Sequence, residues 1–211
     1  TGGAGYIGSH YVHYEMDRGN DVVVLDSLAQ GHREAVGGAP LIVGDVSSAD
    51  VLDAVFRSYP ISAVVHFAAL ASVPESVAHP ERYYCNNVAA VVQLLEAMRR
   101  HSVEYLVFSS SCATYGDPVY VPMDEQHPQA PVSPYGETKR VCEKMMEAYD
   151  HAHGLRFVSL RYFNASGADP KARIGESHDP ETHLIPIVLQ VASGRRAEVT
   201  VYGDDYPTPD G

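Results

Sequence analysis

The chain has 211 residues, 45% hydrophobic and 20% charged, a balance that excludes disordered, collagen-like and fibrous architectures. Fifteen Lys plus Arg against 27 Asp plus Glu leave a formal charge of −12, which disfavours nucleic acid and anionic membrane surfaces as partners. Cys85, Cys112 and Cys142 are odd in number, far apart and outside any CxxC spacing. Neither a disulfide framework nor a zinc ribbon is expected, and a reduced, cytoplasmic compartment is. The longest apolar stretch, Ile61 to Val73, is interrupted by His66 and falls short of the ~18 uncharged residues of a membrane span. The sequence opens on a glycine-rich turn without the buried strand that normally feeds one, and stops just after a strand-like run, so both ends look cut.

In chain order, helical spacing covers Ile7 to Arg18, a strand Asp21 to Leu25, a strand Leu41 to Val43, a helix Ala49 to Ser58 and a strand Ala63 to Phe67. A helix then spans Asn87 to Arg100, where Val88, Val91, Val92, Leu95 and Met98 recur at three- and four-residue steps and make one apolar face. A strand at Tyr105 to Phe108, a helix at Pro134 to His153 and a strand at Phe157 to Leu160 complete the alternation. The strands read as apolar on both faces, as buried parallel strands are. Strand and helix in alternation imply right-handed crossovers, hence an α/β fold with a doubly wound parallel sheet. Pro and Gly concentrate at Asp117 to Pro134 and Gly167 to Pro186, where active-site loops or a second lobe are expected.

Three groups of residues carry chemistry. TGGAGYIG holds Gly3-x-Gly5-x-x-Gly8 and, overlapping it, Gly2-x-x-Gly5-x-x-Gly8. Such glycines permit a tight turn, let the backbone approach a pyrophosphate and let the next helix present its N-terminal amides to the phosphates. Asp26 ends the next strand, close to the ~20-residue spacing of the acid that binds an adenosine ribose; its carboxylate would repel a 2′-phosphate and so favours NAD over NADP. SPYGETK places Tyr135 and Lys139 on one face of a helix start, where the ammonium, with an oxidised nicotinamide, would lower the phenol below its free value of about 10 and make it a general base. The Ser109-Ser110-Ser111 run, directly after a strand, would offer Ser111 to the same substrate oxygen. Each motif also has a bland reading: a plain turn, a strand-ending Asp, a surface helix pair, a strand-end loop.

TGGAGYIGSH, Asp26, GDV at Gly44 to Val46, HFAA at His66 to Ala69, YYCNNV at Tyr83 to Val88, FSSSCATYG, SPYGETK, RYFNASGA and YGDDYPTPDG follow in order along essentially the whole chain. In this order they resemble the UDP-glucose 4-epimerase family of extended short-chain dehydrogenases/reductases. The resemblance implies a Rossmann-like NAD-binding domain at 1–165 and a truncated substrate-binding lobe at 166–211. It also implies a retained NAD and a UDP-hexose whose carbon 4 is oxidised and re-reduced on the opposite face. It assigns Gly2, Gly5, Tyr6, Ile7 and Gly8 to the pyrophosphate turn, Asp26, Ser27 and Leu28 to the adenosine ribose, and Asp45 and Val46 to the adenine. Phe67, Ala68, Ala69 and Asn86 would line the cofactor further along, with Phe163 near the nicotinamide. Ser111, Tyr135 and Lys139 match the catalytic Ser, Tyr and Lys, Tyr135 and Lys139 also touching NAD. Asn164, His183, Leu184 and Tyr202 fall where UDP-sugar is contacted. Ser27, Ala71 and His183 depart from the family's more usual Asn, Lys and Asn.

The rival readings are a nucleotide-sugar 4,6-dehydratase or decarboxylase, a UDP-N-acetylglucosamine 4-epimerase, an alcohol dehydrogenase with exchanging cofactor and a non-catalytic NAD-binding protein. Lyases of this superfamily typically carry acidic residues just after the serine loop, where this chain has Cys112, Ala113 and Thr114. Tyr135 and Lys139 argue against a dead site. No metal site is expected, because the close histidine pairs His10/His13 and His151/His153 lack nearby ligand partners. His66 reads as a packed core residue, and Cys112 lacks the surroundings of a nucleophile. A homodimer is implied by the resemblance.

Overall fold

The structure is a computed structural model that describes residues 1–206. It forms two compact units, Thr1–Ala165 and Ser166–Gly211. The first contains helix α1 (Tyr6–Asp17), strands β1 (Val24–Asp26) and β2 (Leu41–Val43), helix α2 (Ala49–Ser58), strand β3 (Ala63–His66) and helices α3 (Val73–Ala78) and α4 (Pro80–Tyr83). Helix α5 (Ala90–Arg100), strand β4 (Tyr105–Ser111), helix α6 (Pro134–His153) and strand β5 (Arg156–Tyr162) follow. Several helix starts are capped as their sequence dictates. The hydroxyls of Ser48, Ser72 and Ser133 accept from the amides of Val51, Glu75 and Gly136, and α6 ends on Gly154 in the left-handed region.

Every ladder is parallel: β1 pairs with β2, and β3 with β4 and β4 with β5. The N-terminal turn joins the two groups. The Gly2 amide donates to Leu25 O at 2.9 Å, the Thr1 ammonium to Val65 O at 2.8 Å and the Phe67 amide to Thr1 O at 3.0 Å. Thr1 thus stands as a strand end between β1 and β3, and the order across it is β2, β1, Thr1, β3, β4, β5. This is the doubly wound order, with successive strands added outward from Thr1 in opposite directions on its two sides, and ligands of such sheets bind outside the strands' carboxyl ends at that switch point. Below the turn, β1 and β3 are separated by a cavity of about 870 Å³ lined by Val22, Val24, Leu52, Phe56, Val64 and Leu94 among others.

The core packs α5 and α6 on the sheet. Leu94, Leu95 and Met98 of α5, Leu106 and Phe108 of β4, Leu52 of α2 and Cys142 and Met146 of α6 are essentially inaccessible. Burying each large apolar side chain contributes roughly 1.5–3 kcal/mol before entropy is set against it.

Three expectations are corrected, and two short helices are added. The serine run does not follow the strand but completes it, because β4 continues through Ser111 while pairing with β5 up to Tyr162. The helix expected from Asn87 starts as a π turn at Tyr84–Ala89 before α5. The strands are not all buried on both faces: β5 alternates between exposed and partly covered residues, and Val43 of β2 is exposed. Helices α3 and α4 were not legible because their short, proline-started sequences lack an apolar period.

The second unit holds helix α7 (Leu184–Ala192) and otherwise irregular backbone. The strand-like run near its end forms no strand among the described residues, and Pro207 to Gly211 of the YGDDYPTPDG motif lie outside them.

Candidate active site

The glycine turn is built so tightly that side chains are excluded. Gly2 sits at φ +71°, where a Cβ would lie 2.4 Å from Ala68 N, and a Cβ on Gly8 would lie 2.1 Å from Gly2 O. Helix α1 starts at Gly5 with no side-chain cap, so the positive end of its dipole opens onto the turn. Asp26 is buried at the end of β1; its Oδ2 accepts from the Ala4 amide at 2.9 Å and its Oδ1 from Leu28 at 2.8 Å. The carboxylate therefore fixes the turn, and each oxygen keeps a lone pair for a ribose hydroxyl.

Gly2, Gly5, Asp26, Ser27, Asp45 and Val46 line one cleft beside this turn, and Phe67, Ala68, Ala69 and Asn86 complete its wall. Tyr6, Ile7 and Gly8 form the first turn of α1 at the mouth, and Leu28 follows β1 at φ +58°. A close-approach turn, a helix N-terminus and an acid at the next strand end fit a dinucleotide with a free 2′-hydroxyl.

The second cluster stands on β4 and α6. The Lys139 ammonium is 3% exposed and donates to Ser109 O at 2.7 Å, 4.9 Å from the Phe108 ring and 5.9 Å from the Tyr135 ring. Ser111 ends β4, its Oγ accepting from the Ala113 amide at 3.1 Å, and Tyr135 packs edge-on against Tyr83. Burial pushes the Tyr135 phenol above 10, with a hydrogen bond to Ser111 pulling the other way. The expected lowering relied on Lys139 together with an oxidised nicotinamide; in the chain by itself the Lys139 ammonium donates to the β4 carbonyl and desolvation dominates the phenol.

Burial also lowers Lys139 from 10.5 to about 8, Cys142 and Glu143 opposing it. The folded chain then gives up this proton below the ordinary lysine value of about 10.4, so Lys139 costs stability below pH 8 and the cost is relieved as pH climbs from 8 toward 10. In urea titrations over that range, the stability of the chain relative to its Lys139→Met variant is expected to rise with pH; a flat difference would show that Lys139 titrates normally.

Two features were not legible from spacing. Asn87 is buried in the π turn; its Oδ1 accepts from Leu70 N at 2.9 Å and its Nδ2 donates to Leu70 O at 2.9 Å and to Thr138 Oγ1 at 3.3 Å. It ties the wall of the nucleotide cleft to the helix that carries Tyr135 and Lys139. Behind the serine run, buried Glu143 accepts from the hydroxyl of Ser110, from Gln129 Nε2 at 2.8 Å and from Arg161 Nη2 at 2.7 Å, and Arg161 also donates to Tyr115 Oη at 3.0 Å. Arg161, directly after the largely apolar run Phe157–Leu160 and still within β5, was the available signal, since a partly buried cation requires a partner.

His66 is buried, stacks on Phe108 and shares a 2.7 Å contact between its Nδ1 and Thr1 Oγ1. Burial first, then nearby positive charge, holds its imidazole well below 6.5, in keeping with a packed residue. Burial pushes the Cys112 thiol up, away from a nucleophile's thiolate.

Phe163 and Asn164 follow β5 and are exposed. In the second unit His183 is the N-cap of α7, Leu184 its first residue, and Tyr202 lies exposed in irregular backbone. Spacing singled out other histidine pairs, yet Glu176, His178, Glu181 and His183 bring a ligand atom each within 4.8 Å of one another.

Residues 1–210 match the family described as NAD dependent epimerase/dehydratase. Over its whole length the chain is 52% identical to a UDP-glucose 4-epimerase of Halalkalibacterium halodurans, of which it covers 63%. It superimposes with a TM-score of 0.96 on the UDP-glucose 4-epimerase of Brucella ovis in complex with NAD, at 49% identity, covering 100% of this chain and 65% of that one. The enzyme from Bifidobacterium longum in complex with NAD+ and UDP gives a TM-score of 0.92 at 35% identity, with 99% of this chain and 66% of that one covered. The chain thus spans just under two thirds of the length of such curated relatives. With its glycine turn, parallel sheet order and matched length, the chain belongs to the NAD dependent epimerase/dehydratase family.

Proposed function

We propose that these 211 residues are the NAD-binding and catalytic part of a UDP-glucose 4-epimerase, interconverting UDP-galactose and UDP-glucose. The observation that carries this reading is the link through Asn87. It ties Leu70, on the wall of the nucleotide cleft, to Thr138 on the helix of Tyr135 and Lys139, which supports reading the cleft and that group as one site. NAD, when bound, supplies a reversible hydride acceptor at carbon 4 of the sugar.

The chain's own residues handle the proton and the position. Tyr135 takes the proton of the 4-hydroxyl and later returns it, and the Ser111 hydroxyl donates to the same substrate oxygen. Lys139 stays anchored on Ser109 O, which fixes its charge beneath the Tyr135 ring. Burial pushes the Tyr135 phenol up and Ser111 only partly opposes it, so Tyr135 would become a working base when a nearby positive charge, such as an oxidised nicotinamide would supply, stabilises its phenolate. Asp26 and the glycine turn hold the adenosine end, while Asn164, His183, Leu184 and Tyr202 serve the UDP-sugar. Residues 1–165 form the NAD-binding domain and 166–211 the first part of the substrate lobe. The three free cysteines suit a cytoplasmic protein, and no helix among the described residues is long and apolar enough to cross a membrane. Two copies would pair as a homodimer, for which exposed Val73, Val77 and Tyr84 offer apolar surface.

The test is proton NMR of UDP-galactose, and separately of UDP-N-acetylgalactosamine, incubated without added NAD with the full reading frame that encodes this chain. Appearance of the gluco epimer is the expected result, and the ratio of the two rates identifies the preferred sugar. A 4-keto-6-deoxy product, or no product from NAD-loaded protein, overturns the proposal.

A further inference from the structure

In the second unit, the segment Glu176-x-His178-x-x-Glu181-x-His183 folds back so that two imidazoles face two carboxylates. Their atoms close a four-membered circuit. His183 Nδ1 lies 2.8 Å from Glu176 Oε1 and 3.2 Å from Glu181 Oε1, and His178 Nδ1 lies 3.5 Å from Glu176 Oε1 and 3.9 Å from Glu181 Oε2. The carboxylate side chains are 11% and 8% exposed, so water screens them poorly.

Glu181 Oε1 already accepts from the Thr182 and His183 amides at 2.8 and 2.9 Å, so the Nδ1–H of His183 can serve Glu176. What hydrogen bonding leaves unbalanced is charge, because two neutral imidazoles beside two carboxylates leave two negative charges close together. A divalent cation among the four atoms would balance two carboxylates against two neutral imidazoles. The size also fits. Zinc bonds of roughly 2.0–2.2 Å to nitrogen and oxygen in a tetrahedron require ligand atoms about 3.3–3.6 Å apart. The nitrogen–oxygen separations, 2.8 to 3.9 Å with the two imidazoles facing different oxygens of Glu181, lie around that edge, and one ligand atom from each residue lies within 4.8 Å of the others. The convergence of the two imidazole Nδ1 atoms distinguishes the group from an acidic patch: two nitrogens with two oxygens is a donor set for zinc and its neighbours rather than for magnesium or calcium.

We propose that Glu176, His178, Glu181 and His183 form a zinc-binding site that pins the irregular segment before α7 to the start of that helix. It is independent of the epimerase reading. Coordination through Nδ1 leaves Nε2–H of His183 free to donate to an anion, so the site is compatible with the diphosphate contact proposed above.

The experiment uses the protein expressed from the full reading frame that encodes this chain, stripped by chelator and titrated with zinc chloride by calorimetry, with cobalt(II) as a spectroscopic probe. One equivalent of zinc is expected, with the intense visible bands of tetrahedral cobalt. Loss of a ligand should weaken binding roughly 100-fold or more, beyond what changes outside the ligand shell cost, so His178→Ala and Glu181→Gln are both made. Glu181→Gln keeps the side chain's shape and decides the matter if His178→Ala fails to fold. His151→Ala, at the end of α6, serves as the control and should bind zinc as the wild type does. No stoichiometric zinc, an octahedral cobalt spectrum, or affinity unchanged in folded His178→Ala or Glu181→Gln would overturn the proposal.

Discussion

Tyr135→Phe is expected to turn over UDP-galactose about 10²- to 10⁴-fold more slowly than the wild type while still carrying its NAD, the range typical of removing a positioned general base. The phenyl ring keeps its edge-on packing against Tyr83, so the site's shape survives and only the proton-transfer oxygen is lost. The pH dependence should change with it. Because burial holds the phenol above 10 and the hydrogen bond to Ser111 only partly offsets that, the wild-type rate should climb with pH as phenolate forms under the cofactor's charge. That ascending limb is expected to vanish in the Phe variant. Rates measured by NMR and NAD content read from the absorbance of the denatured protein check both parts. A variant that epimerises at near wild-type speed would remove Tyr135 from the chemistry.

Arg161→Met should destabilise the first unit by about 3–5 kcal/mol, because it leaves Glu143 buried without its cation. The carboxylate is 3% exposed and accepts from Arg161 Nε at 3.1 Å as well as Nη2, so neither water nor Gln129 can replace the guanidinium fully. Burial pushes Glu143 up, but the bonds from Arg161, Ser110 and Gln129 outweigh it and hold the carboxyl below its ordinary 4.5. The pair's contribution is therefore complete above about pH 4.5 and is lost as pH falls through the depressed value. The double variant Glu143→Met, Arg161→Met should recover most of the loss, since an apolar pair removes both the attraction and the desolvation penalty. Urea unfolding of the single and double variants distinguishes the cases. A single variant within 1 kcal/mol of wild type would show the pair to be dispensable.

Local rules explain why so much of the nucleotide half could be read in advance. Gly2, Gly5 and Gly8 act through the absence of a side chain, Asp26 through its place at a strand end, and Tyr135 with Lys139 through the helical spacing that puts them on one face. Each is a property of a few neighbouring residues. Helices α2 and α6 were legible over their full length for the same reason: serine at the N-cap and an apolar period, with proline at the start of α6. The resemblance added an ordered list of positions along the chain, and Gly2 to Asn86 in that list include ten that line one cleft.

What required the tertiary structure is whatever depends on partners distant in sequence. Whether Lys139 points its charge at Tyr135 or at the Ser109 carbonyl is set by how α6 packs on β4, and that packing, through desolvation, moves the phenol up instead of down. Asn87 reaches Thr138 across 51 positions and Glu143 meets Arg161 across 18, so neither contact has a local signature. The facing of His178 and His183 onto two glutamates depends on an irregular loop, where no period constrains side-chain direction. The sequence alone determined the class of fold and the cofactor turn, and it singled out Ser111, Tyr135 and Lys139 as the groups proposed to handle the proton. Burial and long-range contacts, which exist only once the chain has packed, decided the charge state of those groups and what holds them in place.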